Sequence, residues 1–336
     1  MNSISKKVVI TQKFFDDEAI AFLKSRDCEV EIAQLPENVT EAQLSPLQIQ
    51  QLLKGAGGWI LGHAKVTREV QSLLPELAII SRRGVGYEKV DTTAANELGK
   101  VVTIAAGGND ASVADQVIGM MISIGRRLRE AQEAMNNNSW NILVGTELYQ
   151  KTVGIVGFGR IGRSLAKRLK GFDVEILVNS PLLEPDDIAE FGLKEVDFDT
   201  LIERSDYISI HAPLIAETKH LFNANVFTRM KSTAVMINTA RGGLINDTDL
   251  LQALQQKQIL GAGLDVFESE GDPSLKPVTD ALIALPNVIA APHAGASTHE
   301  ALKRTNMIAA ICVADVLDGG DAPAQCVVAD GRKTNI

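Results

Sequence analysis

At 336 residues, 45% of them hydrophobic and 22% charged, the chain has the composition of a soluble globular protein long enough for two domains. A net charge of −9 argues against a nucleic-acid surface, which needs a basic patch to hold phosphates. No apolar run reaches membrane-spanning length, no secretion signal is visible at the start, and three cysteines without C-x-x-C spacing fit a reducing cytosol. The expectation is a cytoplasmic protein with no membrane segment, and with no bound metal because its five histidines are scattered.

In chain order, the first hundred residues alternate strand-like runs ("KKVVITQ", "CEVEIAQ", "GGWILGH", "LAIISRRG", "KVVTIAA") with helical patterns such as "FDDEAIAFLKS" and "VTREVQSLLPE". This reads as a small α/β unit. The densely basic "GRRLR" (Gly125 to Arg129) is placed on a helix, as a solvated or interface face. From Lys151 the alternation resumes with "KTVGIVG", "DVEILVNS", "YISIHAP", "STAVMINTA", "LGAGLDVF" and "NVIAAPH" as strands. Between them "NDTDLLQALQQKQI" is helical, with Asn246 or Asp247 to cap it. Strands apolar throughout and separated by helices imply a parallel sheet covered on both faces. After His293, "STHEALKRTNMIAAICVADVLDGG" is a long helical pattern with no sheet of its own. It is expected to pack back on the first unit. The small domain is then discontinuous, 1–104 with 294–336, around a domain at 105–293, with hinges near Ala105 and Pro292.

Chemistry first becomes legible in "VGIVGFGRIGRSLA". Gly157, Gly159 and Gly162 form G-x-G-x-x-G between a strand and a helix. The first glycine allows a tight turn, the second lets the backbone approach a pyrophosphate, and the third permits close helix–sheet packing. Arg160 and Ile161 lie at the start of the helix, whose amides and dipole favour phosphate. The next strand would end in an acidic residue in a typical NAD site; here it ends in Asn179 and Ser180. No Arg or Lys follows, only Glu184, Asp186 and Asp187, which would oppose a 2′-phosphate. NAD is therefore the expected cofactor, with NADP as the alternative.

Downstream, "NTARGGLIN", "GAGLDVFESEGDP" and "APHAGAST" follow in order, with "SRRGVGYEKVD" and "SVADQVIG" upstream. Together these motifs resemble the D-isomer-specific 2-hydroxyacid dehydrogenases over nearly the whole chain. The resemblance implies an α/β fold made of a Rossmann dinucleotide-binding domain and a smaller, discontinuous flavodoxin-like substrate domain. It also implies transfer of hydride between nicotinamide and a D-2-hydroxy or 2-oxo acid. That reaction needs a cation for the carboxylate and an acid/base for the oxygen-bound proton. Arg241 suits the first as a bidentate fork. His293 suits the second, because an imidazole exchanges its proton near neutral pH. Glu270 is expected to bond the other ring nitrogen; it is preferred to Glu268 because it completes D-V-F-x-x-E, although Gly271 follows it where the family usually has proline.

The same resemblance assigns the amides of Val85 and Gly86 to the substrate carboxylate and places His63 beside the substrate, with Arg82, Arg83 and Tyr87 shaping the pocket. It assigns Asp265 to the nicotinamide carboxamide, and Thr239, Ala240, Ala212 and Pro213 to the cofactor walls. His211 is structural or cofactor-adjacent. "SVADQV" resembles the family's dimer arm, so a homodimer is expected, with Trp140 in a partner's pocket or in a core. Two alternatives are a dehydrogenase of another small anion, such as formate or phosphite, and a dinucleotide-sensing binding protein on the same fold. Glu270 disfavours the formate branch, and the Arg–Glu–His set disfavours the sensor.

Overall fold

The structure, a computed structural model, describes residues 4–333. Its chain divides into two compact units, one running to Asn109 and resuming at Ala296, the other Asp110–Gly295. These divisions fall a few residues after the hinges expected at Ala105 and Pro292.

The first unit carries a six-stranded sheet built from β1 (Lys7–Ile10), β2 (Glu29–Ile32), β3 (Gly58–Leu61), β4 (Ile79–Arg82), β5 (Val101–Ile104) and the last strand of the chain, Val327–Asp330. The first five are parallel in the order 5-4-3-1-2, which is the flavodoxin-like order. Alternation along each strand sends Val8 and Ile10 to one apolar layer and Val9 to the other. One layer is closed by helix His299–Leu317, whose Ala309, Ala310, Val313 and Val316 are fully buried against it. Gly58 makes this possible, since a Cβ there would lie 2.8 Å from Val313. The terminal helix thus returns to the first unit.

Strand Val327–Asp330 was not legible in the sequence: it pairs antiparallel with β5, as four residues after a Gly-Gly stop. So short an edge strand has too few positions to show a period.

The second unit holds seven parallel strands: β6 (Thr152–Val156), β7 (Glu175–Asn179), β8 (Leu193–Glu195), β9 (Tyr207–Ile210), β10 (Val235–Asn238), β11 (Gly261–Leu264) and β12 (Val288–Ala290). Their spatial order, 8-7-6-9-10-11-12, is that of a Rossmann sheet extended by one strand. The order reverses between β6 and β9, and ligands of such sheets bind outside the carboxyl ends of the strands at that reversal.

Helix Asp110–Gly125 contains the "SVADQVIG" motif. It does not stand out as an arm: Ala114, Val117, Met120 and Met121 are buried against the sheet of its own unit. "GRRLR" is not on one helix either. The helix ends at Gly125, Arg127 takes a left-handed backbone with φ +54°, and a new helix starts at Leu128. Arg129 there donates to three carbonyls, of Ile283, Leu285 and Val288, so at least one of these cations is a tether.

Candidate active site

The carboxyl ends of β6, β9, β10, β11 and β12 each carry one part of the site. After β6, Gly157 has φ +90°, and a Cβ would lie 2.7 Å from the backbone of His211 and Ala212. Gly162 would collide with the Gly157 carbonyl at 2.8 Å, whereas Gly159 faces open space. Helix Arg160–Leu169 starts from Gly159 with no side-chain cap, so its first amides are left for an anion. Close packing behind and open space in front are what a pyrophosphate cradle requires.

The second strand ends less specifically. The Asn179 side chain donates to the Val196 carbonyl at 3.0 Å, and Ser180 Oγ accepts the Leu182 amide at 3.2 Å. Asn179 thus reaches across to the segment after β8, and Ser180 engages in a local turn. Asp187, one of the acids downstream, is clamped at both oxygens by Arg163, at 2.7 and 2.6 Å.

After β9, His211 Nε2 meets Ser209 Oγ at 2.8 Å, while its Nδ1 is buried with no partner. Burial pushes the ring down to about 4, so it is neutral at neutral pH. Ala212 is half-buried and Pro213 exposed beyond it. Thr239, after β10, also has a buried hydroxyl without a partner. Orphaned polar atoms in a cradle of this shape fit a dinucleotide, which would satisfy them.

The Arg241 turn is shaped by Asn238, whose side chain accepts the Ala240 amide and donates to the Arg241 carbonyl. Arg241 Nη1 donates to the Ala240 carbonyl at 2.6 Å. Asn238 escaped the sequence reading because it looks like one more strand residue.

Asp265, 1% exposed, follows β11. Its carboxylate accepts the amides of Ala294 and Gly295 at 2.7 and 2.8 Å and the Gln116 side chain at 3.0 Å, while its carbonyl accepts the His293 amide at 2.8 Å. It therefore grips the His293 turn. Two neighbouring amides in one carboxylate explain how His293, itself at φ +54°, holds a left-handed backbone.

His293 lies three residues beyond β12, and its Nδ1 meets Glu270 Oε2 at 2.7 Å. Burial opposes the charge of Glu270, but the hydrogen bonds from His293 and the Phe267 amide, with the nearby His293 and Arg241 charges, hold it below the ordinary carboxylate range. The pair is open to solvent: the side chains are 43% and 44% exposed. Glu268, the rival, is otherwise engaged: one oxygen meets His220 Nε2 at 2.5 Å and the other accepts the Asp247 amide at 2.8 Å.

In the first unit, His63 follows β3, and Val85 and Gly86 follow β4, at the carboxyl ends of adjacent strands. The His63 amide bonds the buried Glu41 carboxylate, which also takes the Gly62 amide. Gln12, with its amide turned to satisfy both neighbours, donates to Glu41 at 3.2 Å and accepts from Arg83 at 2.6 Å. Arg82 Nε donates to the Gly86 carbonyl at 2.7 Å and so shapes the 84–87 turn. Glu41 had no local signal in the sequence. Trp140 is 82% exposed, so it has no core role.

Among the described residues no group of three or more His, Cys, Asp or Glu is arranged to hold a metal ion, and no helix is long and apolar enough to cross a membrane. Comparison with known proteins matches residues 118–295 to the D-isomer specific 2-hydroxyacid dehydrogenase, NAD binding domain. A glyoxylate reductase of Thermococcus litoralis is 39% identical over 246 residues, covering 70% of this chain and 73% of the relative. A D-3-phosphoglycerate dehydrogenase of Methanocaldococcus jannaschii is 36% identical over 318 residues; the match takes in 93% of this chain but only 58% of the relative. The chain thus spans little more than half the length of that second relative. Among solved structures, a glyoxylate reductase from Paecilomyes thermophila superposes with a TM-score of 0.83 at 26% identity, covering 98% of this chain and 99% of that one.

Proposed function

Because this chain belongs to the D-isomer specific 2-hydroxyacid dehydrogenase family, we propose that it interconverts a small 2-oxo acid and its D-2-hydroxy acid, with His293 as acid/base, Glu270 as its partner and Arg241 as the carboxylate clamp. The observation that carries this reading is the 2.7 Å contact between His293 Nδ1 and Glu270 Oε2, close enough to Arg241 for its charge to act on the carboxylate. Nicotinamide, when bound, supplies the hydride donor or acceptor.

Glu270 fixes the tautomer of the ring by holding Nδ1, which assigns proton exchange to Nε2. In reduction the ring protonates the substrate oxygen; in oxidation it removes that proton. Arg241 holds the carboxylate and polarises the 2-oxo group; in the first unit, the amides of Val85 and Gly86 and the His63 side chain are offered to a substrate carboxylate. His211, being neutral, lines the dinucleotide and is no acid at neutral pH. Gly157, Gly159, Arg160, Ile161 and Gly162 hold the pyrophosphate; Asn179, Ser180, Ala212, Pro213, Thr239 and Ala240 border the rest of the cofactor. Asp265 adds a buried carboxylate beside the His293 turn, with lone-pair capacity remaining for the carboxamide.

The absence of a cation after Ser180, where acids follow instead, supports NAD over NADP. Glyoxylate is the first substrate to test, since the Thermococcus litoralis relative bears that name. Three free, buried thiols support a reducing cytoplasm. Exposed Trp140, Ile142 and Val144 alternate along an apolar stretch after helix Leu128–Asn136 that a second copy would cover, which supports a homodimer.

The test is the rate of NADH and NADPH consumption against a panel of 2-oxo acids at neutral pH. Saturable turnover of at least one acid, faster with NADH, is expected. Tight NADH binding without turnover of any acid would overturn the assignment.

A further inference from the structure

The second unit contains two histidine–carboxylate pairs, and the chemistry above uses one. The other joins His220 Nε2 to Glu268 Oε1 at 2.5 Å. Glu268 stands on the same short turn as Glu270, Glu268–Glu270, yet its carboxylate has a separate set of partners. Its second oxygen accepts the Asp247 amide at 2.8 Å, and the Asp247 carboxylate in return accepts the Glu268 amide at 2.9 Å. Asp247 is 2% exposed and opens helix Asp247–Gln255, so this exchange ties the Glu270 turn to a rigid element.

His220 is itself tied to that element's approach. Its amide donates to the Gly243 carbonyl at 2.8 Å, Phe222 and Ile245 form a parallel bridge, and the Asn246 amide returns to the Phe222 carbonyl at 2.9 Å. Asn223 holds the His220 carbonyl at 3.0 Å. His220 keeps a left-handed backbone, φ +52°, a conformation that persists only where its surroundings over-determine it. The loops that follow β9, β10 and β11 therefore meet at Glu268. They meet without slack: a Cβ on Gly242, beside Arg241, would lie 2.2 Å from the Phe267 carbonyl carbon and 2.6 Å from the Glu268 nitrogen.

We propose that His220 is a positioning residue: through Glu268 and Asp247 it fixes the turn that carries Glu270, and so sets where the Glu270 carboxylate meets the His293 ring. The physical reason is leverage. Glu270 bonds both the Phe267 amide and His293 from a three-residue turn, and a turn that short keeps its geometry only if an anchor next to it is held. Removing the ring leaves a Glu268 oxygen without its partner, and the turn relaxes to find another. His220 touches neither substrate nor cofactor in this account.

This inference rests on the roles given above to Glu270 and His293, so its test has a readout that needs no substrate. In histidine-labelled protein, the Nδ1 proton of His293 is followed by NMR, assigned by its loss in His293→Asn. Alongside, kcat and the KM for NADH are measured for the wild type, His220→Ala and His220→Gln. His220→Ala is expected to broaden or lose the His293 proton and to lower kcat at least about tenfold with the KM for NADH within about twofold. His220→Gln, whose amide still donates to Glu268, is expected to restore the signal and to recover kcat to within about threefold. An unchanged signal and kcat in His220→Ala would overturn the proposal, as would a folded His220→Gln as impaired as the alanine variant. Should His220→Ala not fold, Glu268→Gln takes its place, with the same signal loss expected and the same retention overturning it. If the wild type shows the His293 proton but reduces no 2-oxo acid, the catalytic reading fails, and the NMR arm alone still decides the role of His220.

Discussion

His293 reaches Glu270 with Nδ1, 2.7 Å from Oε2, while its own main chain is held left-handed by the buried Asp265 carboxylate two amides further on. The His293–Glu270 pair is thus built from the ends of two adjacent strands, β11 and β12, and depends on a turn that neither would make alone.

Glu270→Gln keeps the shape but replaces the carboxylate that holds His293 Nδ1 with a neutral amide. The kcat/KM for 2-oxo acid reduction should fall about 10²–10⁴-fold, in line with the contribution of general acid catalysis, with NADH affinity within about twofold. Glu270 is held below its ordinary value in the folded state, so its contribution to stability is present above the unfolded carboxylate range and is lost as pH falls through the lower folded value. Denaturant titrations of wild type and variant across the acid range should converge at the lowest pH; wild-type turnover by the variant would remove Glu270 from the mechanism.

Asp247 shows the opposite sign. Burial pushes its carboxyl up to about 7, against an ordinary 3.8. Between those values the folded state binds more protons than the unfolded one, so this group makes stability fall as pH rises from about 4 to about 7, with no further change above. Each tenfold change in proton affinity is worth about 1.4 kcal/mol, so the loss is at most a few kcal/mol. Asp247→Asn should flatten this window, as measured by urea unfolding at a series of pH values. A wild-type profile already flat there would contradict the raised value.

His211, neutral and with a buried unpartnered Nδ1, should serve binding and not proton transfer. Substituting His211→Asn is expected to weaken NADH binding about three- to tenfold, the scale of one hydrogen bond. The pH profile of kcat between pH 5 and 8 should stay where it is. A displaced profile would make His211 a participant in the chemistry.

Gly157→Ala places a Cβ 2.7 Å from the backbone of His211 and Ala212, at a φ of +90°. Strain and collision should destabilise the protein by about 1–3 kcal/mol or more and abolish NADH binding measured by fluorescence. Gly159→Ala, which meets nothing within 4 Å, should fold normally and lose affinity only. Equal melting temperatures for the two variants would refute this division of roles.

Trp140→Glu combined with Ile142→Glu puts charge into the exposed apolar stretch. Sedimentation should show a dimeric wild type and a monomeric variant. A monomeric wild type at micromolar concentration would exclude the dimer.

Much of this was legible in one dimension because its causes are local. The glycine spacing of Gly157, Gly159 and Gly162 is compressed into one strand–turn–helix unit, although Gly157 is also pressed by the distant His211–Ala212 backbone, and the apolar runs of the parallel strands follow from burial on both faces of a sheet. The order of the motifs around Arg241, Glu270 and His293 carried the family resemblance. The placement of "GRRLR" on one helix failed because a single left-handed residue, Arg127, ends one helix and begins another, and nothing in its side chain announces that. The choice of Glu270 over Glu268 came from a motif; the reason for it lies in space, where Glu268 is occupied by His220 and Asp247.

The sequence by itself determined the two α/β units, the return of the last helix to the first of them, and the residue types available for hydride-transfer chemistry. Periodicity and turn chemistry act between residues a few positions apart, so they survive in a string. Tertiary structure alone decided that Asp265 grips the His293 turn, that Asn238 shapes the Arg241 turn, and that His220 reaches Glu268 across 48 positions of chain. Hydrogen bonds are short-ranged and directional, and which distant partners come within 3 Å depends on how strands order themselves in the sheet.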